Sequence, residues 1–385
     1  MRGGSKAMEE DEGFPMLTYE EPYLVMLPGP TNVPAEVMRA LLRPIVNHRG
    51  YRFGALYSRL RGKLQAVFDT KGPVLILTCS GTGGIQASLE AAVRPGAKVL
   101  VTAHGEFGKR AASFAEALGA KALALDAPLG DVPALDVIER TAREEKPSVL
   151  YAVANETSTG VRLPYLRELG ELARELDALY IVDAVSHLGG QELKMDEWGI
   201  DICFTGSQKC LAAPAGLCPI ALSERAVEHM KKNRPREGYF NLLTYLAYAE
   251  KGETPYTPAL SLFYALDEAV NLLLKEGLAA RIERHRRCAQ LFYEGFARLG
   301  LRPLAKDGVA SYTSLALRCP PEVRATQVRD LLRSRHMILI SSGFGALRES
   351  LLRVGCMGIV NEYHVRRTLG AVEEVLSHLA TGSKA

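Results

Sequence analysis

Two residues near the middle of the chain have the types and spacing of a reactive pair, Asp183 and Lys209. The apolar run at 179–182 stops at Asp183, and the small, turn-prone residues AVSHLGG follow, so it reads as a buried strand carrying a carboxylate at its C-terminal edge. A second short apolar strand, 200–205, ends in Gly206, Ser207, Gln208 and Lys209. Acid and amine are thereby delivered to one rim of a sheet, the rim where open α/β sheets bind ligands. Pyridoxal phosphate gives the pairing a chemical reason: a carboxylate keeps its ring nitrogen protonated, and a lysine holds its aldehyde as a Schiff base. Taken singly, each residue has a plainer reading, Asp183 as a strand-end turn residue and Lys209 as a solvated surface lysine.

The surrounding pattern supplies the elements that must position such a pair. A strand at 73–78 turns at once into a helix through CSGTGGIQA, where free amides and glycines make Ser80, Gly81 and Thr82 a candidate phosphate cup; an ordinary strand-to-helix turn looks the same. Strand 98–102, helix 104–119, strand 121–126, helix 135–145, strand 149–154 and helix 165–176 then alternate, which argues for a parallel sheet with helices on its faces. Residues 217–222 read as an antiparallel or edge strand. Helices are expected at 33–42, from 47–57 onward and at 261–274. A long basic helix at 274–299 then leads to an α+β pattern: strand 312–317, helix 324–336, strands 338–341 and 350–354, and helix 361–379. Inside the strand LLRVG, Arg353 is costly to bury without a partner, and a planar carboxylate matches its fork; a substrate carboxylate and a structural salt bridge both answer that need. The proline-braced stretch LPGPTNVP at 27–34 is extended, and by its residues alone reads as a rigid linker. His48 and Arg49 could approach the site, though such residues are more often interface or capping contacts.

The string DAVSHLGG followed by MDEWGID and GSQK resembles the class V aminotransferases, fold type I pyridoxal-phosphate enzymes that include alanine:glyoxylate and serine:pyruvate aminotransferases. The likeness runs from about Leu27 to near the C-terminus. It implies an α/β fold with an N-terminal extended segment (1–34), a large domain (35–273) on a mostly parallel seven-stranded sheet with helices on both faces, and a smaller α+β C-terminal domain (274–385). It implies pyridoxal 5′-phosphate as cofactor, with Lys209 and Asp183 catalytic and Ser80, Gly81 and Thr82 at the phosphate. Phe107 would stack on the ring, core packing being the rival role. Thr157, in NETSTG where the family has E-S-S-T-G, would touch the phenolic oxygen, although the stretch is also a good polar turn. Val185 and Gln208 join the cofactor contacts. The loop GETPYTPAL would cross a homodimer interface to the partner subunit's cofactor through Thr257, with Thr254 where the alanine:glyoxylate relatives carry a tyrosine. Gly29 and Arg353 would bind substrate, Arg353 through the α-carboxylate. The implied reaction moves an amino group from alanine or serine to glyoxylate or pyruvate at an active site on the subunit interface. Aspartate or ureidoglycine transamination, and a desulfurase or lyase reaction, are the alternatives.

Composition agrees with an enzyme of this kind and argues against several others. With 385 residues, 47% hydrophobic and 24% charged, there is length for a large core and a second domain. A net charge of +3 without a basic block gives no reason to expect nucleic acid or an acidic membrane surface as partner. No apolar run is long enough to span a bilayer, and MRGGSKAMEEDEGF lacks the apolar core of a signal peptide, so a cytoplasmic location is expected. The first two dozen residues read as disordered or tag-like. The seven cysteines, Cys79, Cys203, Cys210, Cys218, Cys288, Cys319 and Cys356, are odd in number and have no C-x-x-C pair, so neither a disulfide framework nor a metal site is expected. Cys356, the residue to weigh as a desulfurase thiol, follows an apolar strand and reads as packing.

Overall fold

The computed structural model describes residues 23–382, so the stretch expected to be disordered or tag-like lies almost wholly outside the described residues. Seven short strands form the main sheet: β1 (Val74–Leu77), β2 (Lys98–Thr102), β3 (Lys121–Leu125), β4 (Val149–Val153), β5 (Leu179–Asp183), β6 (Ile202–Phe204) and β7 (Cys218–Leu222). Their order is β1-β7-β6-β5-β4-β2-β3. Strands β3, β2, β4, β5 and β6 pair in parallel, while β7 runs antiparallel to both β6 and β1. Residues 217–222 were open between antiparallel and edge; the strand is antiparallel and interior. Because β7 is the only reversed strand, β1 points the same way as β6. The C-terminal ends of β1, β2, β4, β5 and β6 therefore share one rim, which assembles the site.

The chemistry of these strands explains their place. Every residue of β1, β4, β5, β6 and β7 is buried, the pattern of a sheet covered by helices on both faces rather than of an alternating half-exposed strand. The covering helices include Tyr51–Phe68, Gly81–Ala92, Glu106–Ala117, Leu135–Glu145, Leu166–Glu175 and Leu260–Glu276, whose apolar stripes join the strands in one hydrophobic cluster.

A second cluster gathers around a four-stranded antiparallel sheet, in the order Arg302–Pro303, Ser314–Arg318, Leu351–Gly355, Ser341–Ser342. Phe292, Val328, Leu352 and Val372 in that cluster come from three helices and one strand, the α+β layering expected. Two details differ from the sequence pattern. The two helices expected to meet at 274 are Leu260–Glu276 and Leu278–Arg298; they meet at Gly277, whose positive φ of 89 stops the first helix there. Helices Glu224–Asn233 and Leu242–Ala249, in a stretch without an assigned element, are started by Ser223 and Asn241, whose side chains accept amide hydrogens of the first turn.

The N-terminal segment joins the two clusters. Leu24–Val25 pairs in parallel with Ile338–Leu339, and the Gly355 amide donates to the Met26 carbonyl at 2.7 Å. From there the chain crosses to Lys209 in the large sheet.

Candidate active site

At the rim, the parallel ladder ends and side chains take over. Asp183 is the last residue of β5 and is 3% exposed; its Oδ1 accepts the Val185 amide at 3.0 Å, and no other described donor reaches the carboxylate. Burial pushes its carboxyl up to about 7. Lys209 follows β6 on a turn fixed by the Ser207 hydroxyl, which donates to the Pro214 carbonyl at 2.6 Å, and by the Ser207 amide, which donates to Leu217. Burial lowers the Lys209 amine to about 8, and the Arg353 charge pushes in the same direction. Its Nζ donates to the Pro28 carbonyl. Gly29 takes φ 98, and a Cβ there would lie 2.5 Å from Lys209 Cδ and 2.6 Å from Nζ, so the extended segment closes directly over the amine.

The phosphate-cup candidates start the helix Gly81–Ala92 at the end of β1. Ser80 is its N-cap, yet the Ser80 hydroxyl caps nothing, and the first amides of a helix have no intrahelical carbonyl. Gly81 is pressed against Val185, whose Cγ2 would be 2.8 Å from an added Cβ. The Thr82 hydroxyl accepts from Arg110 at 3.2 Å, and the Arg110 guanidinium lies over the Phe107 ring, 5.0 Å from its centroid. Phe107 sits in the first turn of helix Glu106–Ala117, after β2. Its amide and that of Gly108 donate to Glu156 Oε2 at 3.0 and 3.3 Å. Glu156 also accepts from the Ser158 amide and hydroxyl, and burial raises its pKa despite these four donors. The Thr157 hydroxyl donates to Ser186 at 2.8 Å, which ties the end of β4 to the turn after β5.

Arg353 reaches the rim from the other layer. It lies in Leu351–Gly355, is 8% exposed, and donates through Nε to the Ser342 carbonyl at 2.9 Å and through one terminal nitrogen to the Thr157 carbonyl at 3.5 Å. The Phe344 ring stacks on the guanidinium at 4.0 Å. Burial lowers its pKa to about 10, and no carboxylate pairs with it among the described residues. A buried guanidinium held by carbonyls and lacking an anion has the chemistry to receive a carboxylate.

The structure thus brings Ser80, Gly81, Thr82, Phe107, Thr157, Asp183, Val185, Lys209, Gly29 and Arg353 to one rim. Gln208 stands beside Lys209 with its amide oxygen buried and unpartnered. Thr254 and Thr257 are placed differently within a single chain: the Thr254 hydroxyl donates to the Tyr256 carbonyl at 2.8 Å, and Thr257 is exposed. Arg49 clamps that loop through Glu253 and the carbonyls of Thr254 and Pro255, the contact role expected of it. Cys356 is fully buried, and burial raises its thiol, so it is no ready nucleophile. Sequence reasoning did not single out Arg110, Glu156 or Ser186. Arg110 was findable, since it lies three residues after Phe107 on the same helix face. Ser186 and Glu156 act through contacts between separate rim turns, which no spacing announces.

Comparison with known proteins settles the family. The model of the family described as aminotransferase class-V matches residues 28–360. The chain is a class V aminotransferase. An uncharacterized aminotransferase of Methanocaldococcus jannaschii is 39% identical over 92% of this chain and 93% of its own length. An alanine–glyoxylate aminotransferase of Drosophila melanogaster is 31% identical, covering 87% of each chain. The crystal structure of the ureidoglycine–glyoxylate aminotransferase of Bacillus subtilis superposes with a TM-score of 0.89 at 33% identity, over 94% of this chain and 95% of that one.

The cofactor of this class V aminotransferase is pyridoxal 5′-phosphate, and the rim residues fit it. Asp183 has carboxylate capacity left for a ring N–H, Ser80 has a free hydroxyl at a helix start, and Gln208 has an unspent amide. These three rim groups are ones that a phosphorylated pyridine can engage. Among the described residues no helix is long and apolar enough to cross a membrane, and no cluster of metal-ligating side chains occurs.

Proposed function

We propose that this aminotransferase moves the amino group of a small amino acid, L-alanine or L-serine, to glyoxylate or pyruvate, with Lys209, Asp183 and Arg353 carrying the reaction. The observation that carries the reading is Arg353, a buried guanidinium without an anion, close enough to Lys209 for its charge to depress the amine. Arg353 binds the α-carboxylate and so fixes the direction of the Cα–H bond. Glyoxylate as acceptor is common to the Drosophila and Bacillus relatives named above.

The cofactor, when bound, supplies an electron sink and the carbon that carries the amino group between half-reactions. Lys209, with its amine lowered to about 8, takes the proton from the substrate's α-carbon and can release it again near neutral pH. Asp183 holds a proton on the ring nitrogen by its negative charge, and a bound cation in turn offsets the burial that now raises its pKa. Phe107 would stack on the ring, Thr157 would touch the phenolic oxygen, Gln208 would contact the phosphate, and Val185 would join these contacts. Pro28 and Gly29 cover Lys209 and limit the room beside it, which favours a small donor.

The working unit we propose is a homodimer in which the loop at 252–260 serves the partner's site through Thr257, and the Thr254 hydroxyl bonded within the loop gives that loop its shape. The domain division we propose, an N-terminal segment to residue 34, a large domain to 273 and a small one beyond it, is supported by the two larger hydrophobic clusters, drawn mainly from residues before and after 273. A cytoplasmic location completes the reading. The test is a donor and acceptor panel: visible absorbance of the cofactor-loaded protein is bleached by L-alanine and restored by glyoxylate. Colour that no small amino acid bleaches sinks the reading.

A further inference from the structure

The helix that carries Phe107, Glu106–Ala117, has no cap of its own. Its N-cap position is Gly105, which brings no side chain, so the first amides need acceptors from elsewhere. The turn after β4 supplies them. The Ser158 hydroxyl accepts the Glu106 amide at 3.1 Å, and Glu156 Oε2 accepts the Phe107 and Gly108 amides at 3.0 and 3.3 Å. Through Oε1 the same carboxylate accepts the Ser158 amide at 3.0 Å and the Ser158 hydroxyl at 2.6 Å. A Cβ at Gly105 would lie 2.3 Å from Glu156 Cγ and 2.7 Å from Ser158 Oγ, so the helix start is pressed directly onto this pair.

The residue type is informative. Glu156 is fully buried, and no cationic side chain pairs with it among the described residues. Burying a carboxylate is costly, and here only hydrogen bonds and the positive end of the helix offset the charge. A serine or asparagine at the N-cap itself would start the helix without that cost. What the carboxylate adds is geometry, since both of its oxygens accept and the helix start is thereby fixed to the turn from two directions. A glutamine of the same shape cannot do this: its NH2 would meet either the two helix amides or the Ser158 amide, a donor against a donor either way.

The turn so attached is itself part of the site. Thr157 stands between Glu156 and Ser158; its hydroxyl donates to Ser186 and its carbonyl accepts from Arg353. We propose that Glu156 is a positioning residue for the cofactor: by locking the first turn of the helix to the Thr157 turn, it sets the height at which the Phe107 ring stacks on the pyridine. Ser158 completes the clamp. The proposal rests on the reading of Phe107 as the stacking residue.

A double-mutant cycle on binding tests it, with 4-deoxypyridoxine 5′-phosphate as the probe because it keeps the ring and phosphate but has no aldehyde for Lys209. The probe is titrated calorimetrically into the full-length protein stripped of cofactor. Phe107→Leu is expected to weaken it at least about tenfold. Glu156→Gln is expected to weaken it about tenfold when Phe107 is present and by less than about twofold in the Phe107→Leu background, because its effect runs through that ring. Ser158→Ala, a smaller change, is expected to cost about threefold with the same dependence on Phe107, and keeps the test open if Glu156→Gln does not fold. A general loss of order in the helix would weaken the probe alike in both backgrounds. Equal losses in both backgrounds, or unchanged affinity in Glu156→Gln, therefore overturn the positioning role and leave the stacking by Phe107 standing. Unchanged affinity in Phe107→Leu overturns the stacking reading, and the positioning role falls with it.

Discussion

The rim of the large sheet and the arginine strand of the small sheet solve opposite problems. On the rim, Thr157 and Ser186, the Glu156 carboxylate and the Phe107 amide, and the Arg110 guanidinium and the Phe107 ring are linked across neighbouring turns, and the Val185 amide holds Asp183. Across the cleft, Arg353 stands on a different layer, held by two carbonyls and one aromatic face. A reacting centre needs atoms held within fractions of an ångström, which a linked set on strand ends provides. A substrate receptor must admit and release its ligand, and a single guanidinium on a second layer does so without disturbing the first. Changes on the rim should therefore damage the chemical step, and changes on the arginine strand should damage capture of the substrate.

The largest effect expected is for Lys209→Ala, which should cut turnover by about 10⁴-fold or more in steady-state assays while circular dichroism stays native. Asp183→Asn should lower kcat by about 10²–10³-fold, with a deuterium effect at the donor's Cα reporting the slowed proton transfer. If Arg353→Lys lowers kcat as much as it raises KM, the division of labour is wrong; the expected result is a loss of about 10–10² in kcat/KM, carried mostly by KM. Gly29→Ala should weaken retention of the cofactor and destabilise the fold by about 1–3 kcal/mol, read from the denaturation midpoint, since the residue is at φ 98 against Lys209.

The smallest effect concerns pH. In the cofactor-free protein the folded Asp183 carboxyl, at about 7 against a usual 3.8, holds a proton that the unfolded chain has lost, so this group makes stability fall as pH rises from about 4 to about 7. Lys209, at about 8 against 10.5, acts in the opposite sense: between those values the unfolded chain holds the proton and stability rises with pH. Urea titrations of the wild type and Asp183→Asn should therefore converge near pH 4 and diverge toward pH 7, with the variant the more stable at the upper end.

The alternation of apolar runs and helical stripes was legible in the sequence because buried parallel strands and amphipathic helices leave different periods. That is why Asp183 and Lys209 were found from the ends of two such runs, and why Leu135–Glu145 emerged with its expected bounds. The break between the helices was placed at 274 rather than at Gly277, since a glycine does not declare its φ, and the helices Glu224–Asn233 and Leu242–Ala249 were not legible, since short helices depend on caps and tertiary cover.

By itself, the sequence determined the candidate reactive residue types, the strand-end positions that carry them and, through its motifs, the family they resemble. Tertiary structure alone decided that β7 runs backward through the sheet interior, so that β1 delivers Ser80 to the same rim as Lys209. It also decided that Glu156 holds the turn bearing Phe107. The reason is physical: local pattern records whether a side chain is buried, whereas the partner it finds there depends on which distant turn the fold lays beside it.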